Sequence, residues 1–537
     1  MAREERKLPK TIPLFTVNMP TEVDKPLLEV LHSGYIGQGK KVEEFETALG
    51  NFLETKNVLT LNSGTSALQL ALRLANVNPG DEVISTPMTC SATNEPILAC
   101  GGKIVWADIN PKNGLISPKD VERKVTPKTK AIVCVDWGGS VCDLDELMHL
   151  GDKYNLKIIE DAAHAFGAGY KGKMVGTIAD FTCFSFQAIK HITTVDGGLL
   201  VTKNDKDYKR GKLLRWYGID REATSKDSRI EQDISEWGYK FHMNDVAATI
   251  GLVQLGFIKA ILEKHQNNAE FYHQTINHDF YTHPRTDWDQ DSAFWLYTIL
   301  LPTRDKRDRF RDFMAENMVM TSEVHSRNDI HATFREFVSD LPGVKYFSER
   351  HIAIPVHAKL TTKDRNRISV LSNEFAEKEN GQNVQLQEVA NLKDALIMAR
   401  IRNECRLFMT HDTRRIELDS QRHWFENIYK QLHSVREMTC YLFYKTGNSN
   451  PIGYGVIKKS NEKYWLTGGL LKKDRGQGYG RKLFQLLINN TPGKEIWLSV
   501  LESNSVASGL YEKLGFKPDS LGKNDIGKNL VVMRLQK

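Results

Sequence analysis

The chain has 537 residues, too many for one ordinary domain, so two or three are expected. Its composition, 40% hydrophobic and 26% charged, is that of a globular protein, and no run of roughly eighteen apolar residues reads as a membrane span. The formal charge of +6 comes from scattered Lys and Arg, which argues against nucleic acid as a partner, and the charged start MAREERKLPKTIP lacks the apolar stretch of a secretory signal.

Along the chain, Val42–Glu54 (VEEFETALGNFLE) and Thr65–Val77 have helical spacing. Strand-length apolar runs come between and after them: DEVIST, KIVWAD, AIVCVD, KIIED, TCFSF and GGLLV, several closed by Asp or opened by Gly. NPGD (Asn78–Asp81) is turn chemistry at the start of one of these strands. Strands alternating with helices predict βαβ units around a mostly parallel sheet. Residues 261–376 mix α and β patterns with fewer glycines, as a smaller subdomain would, and EKENGQN (Glu377–Asn383) reads as a linker. Beyond it come a strand (VQLQEV), a helix (NLKDALIMARIRN) and a hairpin (CYLFYK and IGYGVIKK around TGNSNP). The expected layout is a large domain over 1–260, a subdomain over 261–376, a linker over 377–383 and a second domain over 384–537. The seven cysteines are odd in number and contain no CxxC, which points to free thiols in a reducing compartment, the cytoplasm, and no metal site suggests itself.

Four segments of the first half carry chemistry. SGTSALQLAL (Ser63–Leu72) puts a glycine and hydroxyls at a helix start, a seat for phosphate and also a common N-cap. Asp161 ends the strand KIIED, where a carboxylate needs a partner or caps the next helix. Ser185 ends TCFSF, and Lys190 follows in FQAIKHITTVDGG; alone, one is a strand-end hydroxyl and the other a solvated lysine. An amine able to form an imine and a carboxylate able to hold a pyridinium nitrogen are what pyridoxal phosphate chemistry needs.

These segments, with HSGYIGQGKKVEEFE (His32–Glu46), the stretch Gly80–Asn110 and GYKFHMNDVAATIGLVQL (Gly238–Leu255), resemble the DegT/StrS family of sugar aminotransferases over about residues 12–370. The family has the aspartate aminotransferase fold, fold type I. The resemblance implies that Lys190 forms the imine with pyridoxal phosphate, that Asp161 pairs with the pyridine nitrogen, and that Gly64, Thr65 and Ser185 hold the phosphate. It sets His164 against the ring or its hydroxyl. Cys90 stands where relatives carry a ring-stacking aromatic, so the cofactor is expected to be held less tightly. Lys240 lies where relatives reach the phosphate of a neighbouring subunit, which implies a homodimer. Glutamate is the expected amino donor and a nucleotide-linked keto-deoxy sugar the acceptor, the 4-keto form ahead of the 3-keto. Tyr35, His325, Arg327 and His331 are the candidates for contacting it. Relatives with histidine in place of the lysine remove a hydroxyl instead; the lysine at 190, with His191 beside it, favours transamination. A non-catalytic sensor with the same fold is the rival reading.

In the second half, WLTGGLLKKDRGQGYGRKLFQLLINN (Trp465–Asn490) runs strand, glycine-rich turn, helix, and EIWLSVLESNSVASGLYEKLGFKP (Glu495–Pro518) repeats strand and helix. Such a turn can wrap a pyrophosphate. This pair of segments resembles the GNAT acetyltransferases over roughly residues 384–537. The resemblance implies that Arg475, Gly476, Gln477, Gly478, Tyr479 and Gly480 bind the pyrophosphate of acetyl-CoA. Asn504 would approach its pantetheine arm and Tyr511 would protonate the departing thiolate, although Tyr511 also reads as a core aromatic. Ala399–Ile428 resembles the acceptor-side helices, and Glu502, His411 and Asp412 are candidate general bases. Together the halves predict an enzyme that aminates a sugar and then N-acetylates it; an acetyltransferase acting on an unrelated protein or small amine is the alternative.

Overall fold

A computed structural model describes residues 11–222, 233–284, 291–379, 384–406, 414–446, 448–476, 478–493, 495–524 and 527–536. The chain divides into two compact units, Met1–Ser372 and Asn373–Lys537.

The first unit is built on a seven-stranded sheet. Its strands are β1 (Val58–Leu61), β2 (Glu82–Ser85), β3 (Lys103–Trp106), β4 (Thr129–Val135), β5 (Lys157–Asp161), β6 (Phe181–Ser185) and β7 (Gly198–Thr202), in spatial order β1-β7-β6-β5-β4-β2-β3. The run β6-β5-β4-β2-β3 is parallel, while β7 pairs antiparallel with both β6 and β1. The six apolar runs read as strands are all present, and β4 to β6 are buried nearly throughout, as a sheet covered on both faces requires. Functional residues then collect at the carboxyl ends of parallel strands, where an open sheet leaves a crevice. Asp161 and Ser185 are such ends.

Close backbone approach fixes one feature of this crevice. A Cβ on Gly198, the first residue of β7, would lie 2.3 Å from the carbonyl oxygen of Ser63. Only glycine lets β7 pass beneath the start of helix Gly64–Leu74. A long-range cap acts elsewhere. Helix Lys40–Leu53 begins at Gly39, which offers no side chain, and the buried Asp245 carboxylate accepts from the N–H groups of Gly39 (2.8 Å) and Val42 (3.1 Å) instead. The rest of this unit adds a two-stranded antiparallel sheet, β8 (Tyr297–Leu300) with β9 (His351–Ile354), and helices that include Ile258–Thr275 and Arg304–Glu316.

The second unit has its own seven-stranded sheet. Its strands are β10 (Val384–Glu388), β11 (Met438–Lys445), β12 (Pro451–Ser460), β13 (Lys463–Leu470), β14 (Glu495–Leu501), β15 (Lys517–Lys523) and β16 (Asn529–Gln536), in order β10-β11-β12-β13-β14-β16-β15. The strand, helix (Leu392–Cys405) and hairpin read from the sequence form as expected. One pairing is parallel, β13 with β14, and it covers only Tyr464↔Ile496 and Trp465↔Trp497. Beyond these two residues the strands part toward their carboxyl ends. Leu483, Phe484 and Leu487 of helix Tyr479–Asn490 pack into the core on one side of this sheet. Among the described residues, no single helix is long and apolar enough to cross a membrane.

Candidate active sites

A cavity of about 630 Å³ opens at the carboxyl ends of β5 and β6, a volume in the range of small-molecule sites. Its wall contains Gly64, Thr65, Cys90, Asp161, His164, Ser185, Lys190 and His325, residues read from motifs spread between positions 64 and 325. The topology gathers them because each ends a strand, starts a helix or follows within a short turn.

Asp161 is buried, and its carboxylate is engaged on both oxygens. Thr93 Oγ1 donates to Oδ2 at 2.6 Å and the Ala163 N–H donates to Oδ1 at 3.1 Å. Thr89 Oγ1 lies 2.7 Å from Thr93 Oγ1 and, with the Thr93 proton committed to Asp161, is the donor in that pair. Burial raises the pKa of Asp161, and the bonds from Thr93 and Ala163 oppose the rise without cancelling it. Such a carboxylate is completed by a cation. Lys190 is the converse: burial lowers its pKa to about 8, against an opposing pull from Asp161. Its Nζ sits 3.7 Å from the centre of the Trp295 ring.

His164 stacks on the other part of this aromatic wall, 3.9 Å from Trp295 with planes 22° apart. Burial first, then the neighbouring Lys190, holds its pKa well below the usual imidazole range, so the ring is neutral. The Gly138 N–H donates to Nδ1 at 3.3 Å, which leaves the ring proton on Nε2. His325 is also kept neutral by burial, its pKa lowered to about 4, and its buried Nε2 has no hydrogen-bond partner among the described residues. Ser63 caps helix Gly64–Leu74 by accepting from the Ser66 N–H at 3.0 Å, and Gly64 and Thr65 of its first turn line the cavity.

Other residues singled out in the sequence lie elsewhere. Tyr35 is 80% exposed and His331 is exposed, and neither lines the cavity. Arg327 pairs with Asp329 at 2.5 Å, also outside the lining. Lys240 is exposed and lies outside the lining of its own chain's cavity. His191 turns away and bonds the Ala293 carbonyl at 2.9 Å. Sequence reasoning missed Trp295, Phe15 and Thr93. Phe15 stacks on Trp295 with centroids 4.9 Å apart, so an aromatic wall is present although Cys90 supplies no ring. Thr93 was within reach of sequence, three residues after Cys90 on helix Ser91–Ala99; Trp295 carries no motif and is recruited from a distant segment.

In the second unit, the glycine-rich turn joins β13 to helix Tyr479–Asn490. Gly476 and Gly478 have positive φ (78° and 82°), the conformation glycine tolerates best, and a Cβ at Gly476 would meet nothing within 4 Å. Arg475 Nε donates to the Leu470 carbonyl at 3.0 Å, and Tyr479 is buried. Gly480 lies in the first turn of the helix. Asn504 caps helix Ser505–Lys513, its Oδ1 accepting from the Ala507 N–H at 3.2 Å. Tyr511 packs edge-on to Phe484 at 4.8 Å, and burial pushes its pKa up, so its hydroxyl holds its proton at neutral pH. Glu502 is exposed and accepts from Asn529 Nδ2 at 2.9 Å. Gln477, His411 and Asp412 lie outside the described residues.

Comparison with known proteins agrees with both halves. Residues 18–370 match the DegT/DnrJ/EryC1/StrS aminotransferase family, and residues 399–516 match the acetyltransferase (GNAT) family. The UDP-4-amino-4,6-dideoxy-N-acetyl-beta-L-altrosamine transaminase of Campylobacter jejuni is 34% identical over 349 residues, which are 63% of this chain and 90% of the relative. The sugar aminotransferase CalS13 of Micromonospora echinospora superposes with a TM-score of 0.64 at 36% identity, over 67% of this chain and 98% of that one. The Streptococcus pneumoniae protein Spr1654, solved in its PLP form, superposes with a TM-score of 0.62 at 28% identity, over 68% of this chain and 99% of that one. The α/β reading with a mostly parallel sheet therefore holds for the first unit as fold type I. The chain is an enzyme that belongs to the DegT/DnrJ/EryC1/StrS aminotransferase family and carries a GNAT acetyltransferase domain behind its aminotransferase half.

Proposed function

We propose that the chain is a bifunctional nucleotide-sugar enzyme. The first half transfers an amino group from glutamate to a nucleotide-linked keto-deoxy sugar, ketone at C4, and the second half acetylates the new amine with acetyl-CoA. The observation that supports it most is the convergence of a half-buried amine, a buried carboxylate and a helix start on one cavity.

The donor set fits pyridoxal phosphate. Asp161, its pKa raised by burial, would pair with a protonated pyridine nitrogen; Lys190 would hold the aldehyde carbon; Gly64 and Thr65 at the positive end of their helix, with Ser185 at the end of β6, would hold the phosphate. When bound, the cofactor acts as an electron sink for the proton removals that move an amino group between donor and acceptor. Lys190 Nζ, its pKa lowered to about 8, is the base that takes the proton from the α-carbon of glutamate and later returns one to the sugar carbon. His164 Nε2–H donates into the cavity without carrying charge, and His325 Nε2 is placed for a sugar hydroxyl. The wall of Trp295 and Phe15 excludes water from this proton transfer and offers the apolar face a deoxy sugar fits. The sugar class and the carbon follow the name of the UDP-4-amino-4,6-dideoxy-N-acetyl-beta-L-altrosamine transaminase that the first half resembles.

In the second half, the sugar amine attacks the thioester carbonyl, the N–C bond forms as the C–S bond breaks, Tyr511 protonates the thiolate, and the proton released from nitrogen passes to solvent, from which Tyr511 is reprotonated. The short pairing of β13 with β14 supports this reading, because it sets side by side the two strands that lead to the glycine turn and to Asn504. The chain would work as a homodimer in the cytoplasm, with Lys240 reaching its partner's site. The test is incubation with glutamate, acetyl-CoA and a panel of keto nucleotide sugars, followed by mass measurement of the products. Amination and acetylation of one sugar support the reading; acetylation of peptides in preference to amino sugars would refute the second step.

A further inference from the structure

Three imidazoles meet on the small α+β part of the first unit, away from the residues that line the cavity. His273 is in the last turn of helix Ile258–Thr275, His278 follows in the turn, and His283 stands one residue past Thr282, which bridges to Leu300. One ring nitrogen of each lies within 4.8 Å of the other two. The rings are mutually ordered: His278 and His283 stack at 4.1 Å with planes 24° apart, and His273 is edge-on to both, at 87° and 79°.

Outer contacts orient two of these rings as metal sites require. His278 Nε2 lies 2.6 Å from the His273 carbonyl oxygen, which can only accept, so the proton is on Nε2 and the lone pair on Nδ1. His283 Nδ1 lies 2.7 Å from the Tyr297 hydroxyl on β8; donating there, it presents the Nε2 lone pair to an ion. We propose that His273, His278 and His283 form a three-imidazole site for a divalent transition-metal ion, zinc by ligand type, with water in the fourth position. Nitrogens around a tetrahedral zinc stand about 3.3 Å apart, so the set closes by up to roughly 1.5 Å. The exposed His278 ring supplies that movement by side-chain rotation. The ion ties the end of the helix, the turn and the strand pair β8–β9 through three consecutive segments of chain. The spacing, two intervals of five residues, matches no standard ligand motif, which is why the sequence showed no metal site.

The experiment uses the tag-free full chain, stripped with EDTA and titrated with zinc, with bound metal measured by mass spectrometry of the desalted protein. One equivalent is expected for the wild type, with affinity falling at least about tenfold in His278→Ala, whose ring is exposed, and also about tenfold in Tyr297→Phe, which removes the hydroxyl beside His283 Nδ1. Cobalt substitution reads geometry: ligand-field bands of tetrahedral intensity are expected in the wild type and lost in His278→Ala. Zinc uptake equal in the wild type and in the triple His273→Ala, His278→Ala, His283→Ala variant overturns the proposal. So do cobalt bands unchanged in His278→Ala, or no uptake by the wild type.

Discussion

Lys190 illustrates how little a residue's chemistry owes to its own identity. An exposed lysine is an ammonium near neutral pH; with Lys190 half-buried over Trp295, desolvation lowers its pKa to about 8. Only the free amine attacks an aldehyde. The rate at which cofactor-free protein takes up pyridoxal phosphate on Lys190 should therefore rise about tenfold per pH unit up to about pH 8 and level off above it. The measurement is the growth of imine absorbance against pH, and a flat profile from pH 6 to about 9 would contradict the burial argument. Asp161 makes the complementary prediction. Thr93→Val removes the 2.6 Å bond to its carboxylate, worth about 1.5–3 kcal/mol for a charged acceptor, and should weaken cofactor binding by at least about tenfold at unchanged fold.

At the scale of elements, the motifs that could be read in the chain are those in which local sequence and local structure coincide. β5 and β6 are continuous apolar runs, and the helix after Ser63 has an N-cap residue followed by an apolar stripe. The cap of helix Lys40–Leu53 could not be read this way, because Asp245 is 206 residues from the Gly39 it serves. Asp245→Ala should cost about 1–2 kcal/mol, seen as a lower denaturant midpoint with unchanged slope. Gly198→Ala should cost about 1–3 kcal/mol and also impair cofactor loading, since a methyl group would press on the Ser63 carbonyl at the helix start. A variant that loads normally would show that this crossing has slack.

At the scale of the molecule, two units each own a sheet, a core and a candidate site, so lesions should separate. Lys190→Ala should abolish amination yet leave acetylation of a supplied amino sugar, and Tyr511→Phe should leave amination intact while slowing acetylation. Product masses from the two variants, given each substrate alone, check this; loss of both reactions in either variant with the fold intact would end the two-site reading. Sequence by itself determined the two-part α/β organisation and the cofactor motifs, because these are written in periodicity and in short segments whose residues act near where they stand. Tertiary structure alone decided that Trp295 lies under Lys190 and stacks on Phe15, that Thr93 tunes Asp161, that His325 but not Arg327 or His331 lines the cavity, and that three histidines converge. Those relations depend on which segments pack together across long stretches of chain, and neither periodicity nor spacing encodes a partner that distant.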